Sequence, residues 1–519
     1  MSLINKFATV GGATLASRVM GFARDMLIAA TLGAGPVADV FVAAFGFPNL
    51  FRRTFAEGAF NLAFIPLFAK KIEADGEKSA RQFAEEILAM LVAILLLFTA
   101  LAMLAMPYLV PTIIAPRFDD PNKIDLTIIM TRIMFPYLFC LSLVAMLSGI
   151  MNSMRLYFLA AIVPVLLNVI LVAVLLIAIW LDADERSTGI YLAWGVFVSG
   201  FAQLALLLFG TRRAGFPLRL KRPKMTPQVK RLLVLMGPAV LTGGVLQINI
   251  QIGRIIASAQ DGAMALLNYA DRINQLPLGI IGIAIGVVLL PELSRALKTG
   301  DQTEVSKLQN RSLEFALMLT LPAAVGFVVI PDELVGLLYE RGAFTAETTA
   351  LTAAALAAYA SGLPAYVLIK VFQPAYFARE DMRTPFYFSI VMMITNVGIS
   401  LWLFPTLGHV GIAIATSLSA WINFVLLAAT LWFRGQYRPH KTTLSRVMMI
   451  VIASAIMGGV LYFAQQTVSS NGLEGGLLSR AIVVFGLIAL SSAIYFAIII
   501  GSGVITRQEL KGLTRRGQK

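Results

Sequence analysis

Apolar stretches of about 20 residues recur along the whole chain, and charged residues, Pro or Gly separate each from the next. A helix needs about 20 apolar residues to cross the hydrocarbon of a bilayer, and helices satisfy their own backbone polar groups there. The pattern therefore predicts an all-α integral membrane protein with about 14 transmembrane helices. These spans cover residues 8–32, 37–68, 85–109, 126–152, 158–181, 189–211, 229–258, 264–294, 309–330, 348–375, 385–405, 410–433, 445–466 and 478–503.

The connectors between these spans alternate in charge. Connectors after odd-numbered spans are neutral or acidic, as at Asp182, Asp184 and Glu185. Connectors after even-numbered spans are basic, and the longest contains Arg212, Arg213, Arg219, Lys221, Arg222, Lys224, Lys230 and Arg231. The positive-inside rule then predicts a multi-pass protein with both termini in the cytoplasm.

The chain also resembles itself at a spacing of 228 residues. The matched positions are Pro136 with Pro364, Arg155 with Arg383, and Asn168 with Asn396. They pair spans 1–6 with spans 7–12, which predicts two six-helix lobes as parallel repeats, with two C-terminal helices outside the repeat. The predicted domains are an N-lobe (1–222), a C-lobe (223–440) and a C-terminal helix pair with a basic tail (441–519). Chance matching of short motifs is the alternative.

Composition supports a membrane protein, since 58% of the residues are hydrophobic and 13% charged, against about 25% charged in soluble domains. The net charge of +14 does not indicate a nucleic-acid partner. The cations lie between spans, where membrane orientation and anionic lipid headgroups account for them. Cys140 is the single cysteine, so no intrachain disulfide can form, and we expect it in the apolar core.

Charged residues also lie inside the predicted spans, where each costs about 2.5–3.5 kcal/mol on the most lenient scale. They are Arg18, Arg24 and Asp25 in span 1, Asp39, Arg52, Arg53 and Glu57 in span 2, Arg254 in span 7, Asp271 and Arg272 in span 8, and Lys370 in span 10. At 100° per residue, Arg53 shares a face with Glu57 and pairs with it, while Arg52 is turned away.

Arginine outnumbers acid in this set, which predicts a cavity for an anion. Guanidinium groups match phosphate oxygens, and a diphosphate can engage several of them. A cation transporter is disfavoured, because its site needs unpaired carboxylates. In the alternative interpretation, these arginines pack helices together and are neutralised by the nearby acids. Gly21 and the Gly46-Phe47-Pro48 sequence are bending points or close-packing positions beside the charges.

The chain lacks a phosphate-binding loop for ATP and any Cys or His pair with metal-ligand spacing. We therefore expect no cofactor or metal, with transport driven by the membrane potential or a coupled ion. A polyprenyl-phosphate membrane enzyme is the other class considered, but it would need a large acidic catalytic loop that this chain lacks. The sequence predicts a transporter, not an enzyme.

Charged and aromatic motifs stand at residues 17–25, 33–35 with Asp39, 48–53, 55–60, 269–272 and 373–379. These motifs closely resemble the MurJ (MviN) lipid II flippases of the multidrug/oligosaccharidyl-lipid/polysaccharide exporter superfamily. The resemblance implies twelve core helices in two lobes, and spans 13 and 14 as a groove for the polyprenyl tail. It implies lipid II as cargo, carried by alternating access across the bacterial inner membrane. Membrane lipids and cell-wall synthesis proteins are the implied partners, and no nucleic acid is.

The same resemblance assigns roles to individual residues. Arg18, Arg24, Arg52 and Arg272 are implied ligands for the pyrophosphate. The resemblance also makes Asp39 and Glu57 functional acids nearby. Independently of it, we expect supporting or gating roles for Asp25, Asn49, Arg53 and Asp271, and the charges inside spans 7 and 10 add Arg254 and Lys370 as further candidates. Some relatives have an acid where this chain has Gln275, so a role for that acid is not carried over. Flippases for other lipid-linked oligosaccharides and drug exporters of the superfamily are the alternatives.

Overall fold

The structure, a computed structural model, describes residues 3–300, 302–469 and 476–504, without the side chains of 3–10, 56, 57, 238, 239, 241–243, 280, 282–288, 302, 468 and 469. All regular secondary structure in those ranges is helical. The α-helices are α1 Leu3–Leu32, α2 Pro36–Phe51, α3 Asn61–Leu109, α4 Pro121–Met134, α5 Pro136–Ser153, α6 Tyr157–Trp180, α7 Glu185–Arg213, α8 Pro227–Ala257, α9 Ala263–Lys298, α10 Gln302–Val329, α11 Pro331–Tyr339, α12 Ala346–Ala360, α13 Leu363–Phe377, α14 Arg383–Leu407, α15 His409–Phe433, α16 Lys441–Ser469 and α17 Leu477–Gly501.

The all-helical membrane fold predicted from the sequence is confirmed. Within the described ranges, ten helical stretches are long and apolar enough to cross a membrane. Large apolar side chains cover the outside of these helices, as at Leu104, which is 73% exposed, and Trp180, which is 83% exposed. Such faces suit hydrocarbon better than water. The count of fourteen spans stays a prediction.

Proline breaks two of the spans at equivalent places in the predicted repeat. The fourth predicted span consists of α4 and α5, and the tenth consists of α12 and α13. Pro136 and Pro364 each lie in the first turn of the second helix of the pair, where the missing N–H costs nothing. Asn168 and Asn396, the third matched pair, are both buried in the helices that follow, α6 and α14.

Glycine separates α3 into two helical parts. Gly76 has φ 77° and ψ 175°, a conformation that residues with a Cβ rarely adopt. The second predicted span therefore ends in the first part of α3, and the third predicted span lies in the second part.

A π-helical segment, Arg52–Phe60, joins α2 to α3. Its wider turn gives a different side-chain phase from the 100° per residue of an α-helix. The expectation of one continuous α-helix through span 2 is therefore wrong between these residues. A second π-helical segment, Val110–Ile114, follows α3.

The chain forms two compact units. The first contains Met1–Ala265 together with Arg341–Phe344, and the second contains Leu266–Glu340 together with Thr345–Lys519. An aromatic stack of Phe60, Phe64 and Phe83 lies in the core of the first unit, and Phe68 and Phe216 extend it. The predicted lobes are defined by the sequence repeat, whereas the two compact units are defined by packing. The lobe boundaries therefore stay a prediction. The predicted basic tail, 505–519, lies outside the described residues.

Candidate functional site

Arg24 is buried in α1 and is neutralised there. Its Nε and Nη2 donate to Asp25 Oδ1 at 3.0 and 2.6 Å, and its Nη1 donates to Asn168 Oδ1 at 2.9 Å. Asn168 lies on α6, which packs along α1, and its Nδ2 donates to the Ser17 carbonyl at 3.0 Å. Gly21 makes room for this amide, since a side chain there would contact Asn168. In the structure, Arg24 joins two helices as part of an ion pair.

Arg18 is in the opposite situation. It lies near the middle of α1, its side chain is exposed, and it makes no hydrogen bond or ion pair with any described residue. An unpaired guanidinium in the middle of an apolar helix is costly against lipid. Its position therefore indicates a watery cavity or an anionic ligand.

Arg52 is half-buried at the start of the π-helical segment Arg52–Phe60. Its Nε donates to Asn49 Oδ1 at 2.8 Å, and the Asn49 amide donates to the Phe45 carbonyl at 2.8 Å. Asn49 therefore fixes the stem of Arg52 through one nitrogen. Arg53, next in sequence, is exposed. The side chain of Glu57, its predicted partner, lies outside the described residues.

Asp39 is completely buried near the start of α2. It accepts hydrogen bonds from Lys123 Nζ at 3.0 Å, from Gly262 N–H at 2.7 Å and from Ala265 N–H at 3.0 Å. The two backbone donors belong to the first turn of α9, so the carboxylate caps that helix. Lys123 also donates to Asp261 at 2.7 Å. These contacts connect α2, α4 and the start of α9 at the end predicted to face outward.

Three glycine turns meet beside Asp39. The turn cluster consists of residues 33–35, 261–265 and 341–344, all within the first unit. Gly33, Gly262 and Gly342 have φ values of 55°, 76° and 58°, and a Cβ on each would run into a carbonyl oxygen of another turn or of α1. Ala343 N–H also donates to the Ala30 carbonyl at 2.8 Å. Only glycine permits this approach.

Arg254 lies near the end of α8, half-buried, with its guanidinium against Gly46 of α2. It belongs to the same compact unit as Arg18, Arg24 and Arg52.

The remaining predicted residues belong to the second unit. Asp271 and Arg272 are half-buried on α9, and the side-chain amide of Gln275 donates to the Asp271 carboxylate. Gln275, which stands where some relatives have an acid, is therefore a hydrogen-bond donor to Asp271. Lys370 is half-buried on α13.

Two polar residues of these clusters are missing from the sequence-based site. Lys123 is buried and forms ion pairs with Asp39 and Asp261. It is a cation on the predicted outer side, where the positive-inside rule disfavours positive charge. That exception to the rule is the sequence signal that could have identified Lys123. The sequence repeat includes Asn168 but does not predict that its side-chain oxygen accepts a hydrogen bond from Arg24. The single cysteine, Cys140, is completely buried as expected.

The arrangement in the first unit combines one neutralised arginine, one unpaired arginine and one arginine held by an amide. No group of three or more His, Cys, Asp or Glu side chains that could hold a metal ion occurs among the described residues. Guanidinium groups such as that of Arg18 can bind an anion.

Comparison with known proteins gives consistent relatives. A family model described as "Lipid II flippase MurJ" matches residues 28–483. "Probable lipid II flippase MurJ" of Rhizobium meliloti (strain 1021) is 51% identical over 519 residues, covering 100% of this chain and 97% of that protein. "Lipid II flippase MurJ" of Burkholderia cenocepacia is 32% identical over 507 residues, covering 96% and 97%.

Solved structures agree on the fold. "Lipid II flippase MurJ, inward closed conformation" matches with a TM-score of 0.77 at 23% identity, over 94% of this chain and 98% of that one. An inward-facing multidrug resistance MATE family transporter of the MOP superfamily matches with a TM-score of 0.69 at 16% identity, over 81% and 94%.

Proposed function

Because this chain belongs to the MurJ family of lipid II flippases, we propose which of its residues carry the headgroup and in which direction. The chain is a lipid II flippase, a transporter and not an enzyme. What remains to be assigned is the binding site, the orientation and the energy source.

We propose that the diphosphate of lipid II binds Arg18 and Arg52. The observation that supports this most directly is the exposed guanidinium of Arg18 in the middle of α1, which pairs with no side chain that the structure describes. Arg52 is half-buried beside Asn49, which accepts a hydrogen bond from its Nε. Guanidinium groups bind phosphate oxygens through paired donors, which gives both affinity and orientation.

Arg24 completes the proposed set of diphosphate ligands in the first unit, and Arg272, in the second unit, stays a predicted ligand. Arg24 is engaged by Asp25 and Asn168 in this structure, so it reaches the diphosphate only after exchanging one of these partners. An ion pair of this kind provides a resting state in which the buried charge is neutralised before cargo arrives.

We propose that the protein lies in the bacterial inner membrane with both termini in the cytoplasm. The basic connectors after even-numbered spans support this orientation. The turn cluster then closes the outer end, and the headgroup enters from the cytoplasm and leaves outward when that cluster opens. The helices α16 and α17, which contact each other, provide the groove for the polyprenyl tail.

The membrane potential is sufficient as an energy source in this scheme. Outward movement of an anion is favoured when the inside is negative, by about 2.3 kcal/mol per charge for 100 mV. A diphosphate carries more than one charge, so no nucleotide is required.

The proposed ligands are tested by replacing them in cells that depend on this flippase. Arg18→Ala and Arg52→Ala should stop growth and cause lipid II to accumulate in the inner leaflet, with the protein still inserted. Arg222→Ala is the matched control, since Arg222 is exposed in a connector. Normal lipid II turnover in both Arg18→Ala and Arg52→Ala would contradict their assignment as diphosphate ligands. It would not contradict the flippase activity of the protein.

Imposing an inside-negative potential on proteoliposomes tests the energy source. Lipid II transfer to the positive side should accelerate. An unchanged rate would point to a coupled ion.

A further inference from the structure

Gly46 is buried in α2, and the space its side chain would fill is occupied by Arg254. A Cβ at residue 46 would lie 2.7 Å from Cζ and 3.2 Å from Nη2 of Arg254, and would run into Nη1. These atoms are the end of the Arg254 side chain, so a residue with a Cβ at position 46 would displace the guanidinium from its present place against α2.

The helix that carries Arg254 is held by a second contact on nearly the same face, because residues three apart on a helix lie within about 60° of each other. Gln251, one turn earlier on α8, is 8% exposed and donates to the carbonyls of Ile113 and Ile114 at 3.3 Å each. α8 also packs against the π-helical segment Arg52–Phe60. The packing of α8 therefore directs Arg254 at α2. The guanidinium lies against Gly46, where no side chain stands in its way.

Residue 46 is close to the proposed diphosphate site along α2. Asn49, which holds Arg52, is three residues further on, or about 4.5 Å along the helix axis and within 60° around it. Arg254 contacts α2 at Gly46, and Arg52 follows Asn49 in sequence, so the contact of Arg254 lies nearer the start of α2. The charge pattern predicts that this start is the outer end.

We propose that Arg254 is a further ligand for the diphosphate, on the outward side of Arg52, and that Gly46 is the positioning residue that lets it reach the site. The inference rests on the proposed diphosphate site. A headgroup that leaves Arg52 toward the start of α2 next meets a guanidinium, so its charge stays compensated during the first part of its outward movement. Arg254 acting only as a helix-packing residue is the competing explanation.

The test is a double-mutant cycle on the purified full-length protein, with lipid II and undecaprenyl diphosphate as probes. Arg254→Met should weaken binding of both about tenfold or more, the effect of losing one hydrogen-bonded charge. Gly46→Ala should weaken binding by a similar factor, and the double variant should bind no worse than Arg254→Met alone. Gly253→Ala is the matched control, because a Cβ there meets nothing within 4 Å.

The outcomes separate the explanations. If Gly46→Ala costs the same factor with and without Arg254, glycine serves the helix and the inference is overturned. If Arg254→Met leaves binding unchanged while Arg52→Ala weakens it, Arg254 is a packing residue and the proposed diphosphate site stands. If Arg52→Ala is also without effect, the proposed site itself is wrong. Arg254→Lys retains the charge and the stem, so it supplies the comparison if Arg254→Met does not yield folded protein.

Discussion

Replacing Asp39 with alanine should open the outer end of the first unit. The substitution leaves Lys123 with Asp261 alone and removes the acceptor of two N–H groups, those of Gly262 and Ala265. Breaking a buried ion pair by removing one partner costs about 3–5 kcal/mol. An open, hydrated outer end relieves that cost, so the closed-to-open ratio should fall by roughly a hundredfold or more.

Thiol accessibility measures this change directly. Ala29 is completely buried one turn before the turn cluster, and a cysteine at this position in a Cys140→Ser background should be protected from a membrane-impermeant maleimide added outside intact cells. Asp39→Ala should raise the labelling rate by at least tenfold. A cysteine at exposed Asp182 reports equal reagent access in all variants.

A paired substitution distinguishes electrostatics from general damage. Asp39→Leu combined with Lys123→Met leaves no buried charge without its partner, so protection of the cysteine should largely return. A labelling rate in Asp39→Ala within twofold of the parent protein, with the protein inserted, would refute the reasoning. Equal labelling of the single and paired variants would show that the ion pair itself is not what holds the outer end closed.

Three further predictions follow from the described contacts. Asn49→Ala should weaken lipid II binding by less than Arg52→Ala does, since it removes one contact of Arg52 and keeps the guanidinium, and titration of purified protein measures both. Gly262→Ala should open the outer end in the same labelling assay, because a left-handed alanine costs about 1–2 kcal/mol and meets a carbonyl. Burial raises the pKa of Asp381, but hydrogen bonds from the start of α14 and from Arg434 outweigh it and lower the pKa to about 2. Because this pKa lies below the ordinary value, the stability that Asp381 contributes is present above pH 4 and is lost as pH falls toward 2. Melting curves of Asp381→Asn and the parent should therefore differ at pH 7 and converge near pH 2.

The sequence predicts the membrane-spanning helices well because each has to satisfy the same length and polarity. The breaks before Pro136 and Pro364 could not be predicted from proline alone, because Pro164 and Pro322 lie inside continuous helices. The π-helical segment Arg52–Phe60 is different, since no residue type marks it and neighbouring helices decide the hydrogen-bond pattern. The predicted pairing of Arg53 with Glu57 assumed α geometry in this segment.

Some residues of the candidate site could be predicted from the sequence, and others could not. Charges inside spans are conspicuous, so Arg24 and Asp39 could be selected from the sequence alone. Their partners could not, because Asn168 and Lys123 are 144 and 84 residues away in sequence. The contact of Arg254 with Gly46 depends on how α8 packs on α2, and no local pattern encodes it.

The π-helical segment Arg52–Phe60 also sets the rotation of α2 relative to α3 about the helix axis. A turn of π-helix holds about one residue more than a turn of α-helix, and one residue corresponds to about 100° around the axis. Converting one such turn between Arg52 and Phe60 to α geometry would therefore swing α2 about a quarter-turn relative to α3. A change of hydrogen-bond partners along the backbone, with no unwinding of either helix, would therefore turn Arg52 by about 100° relative to α3.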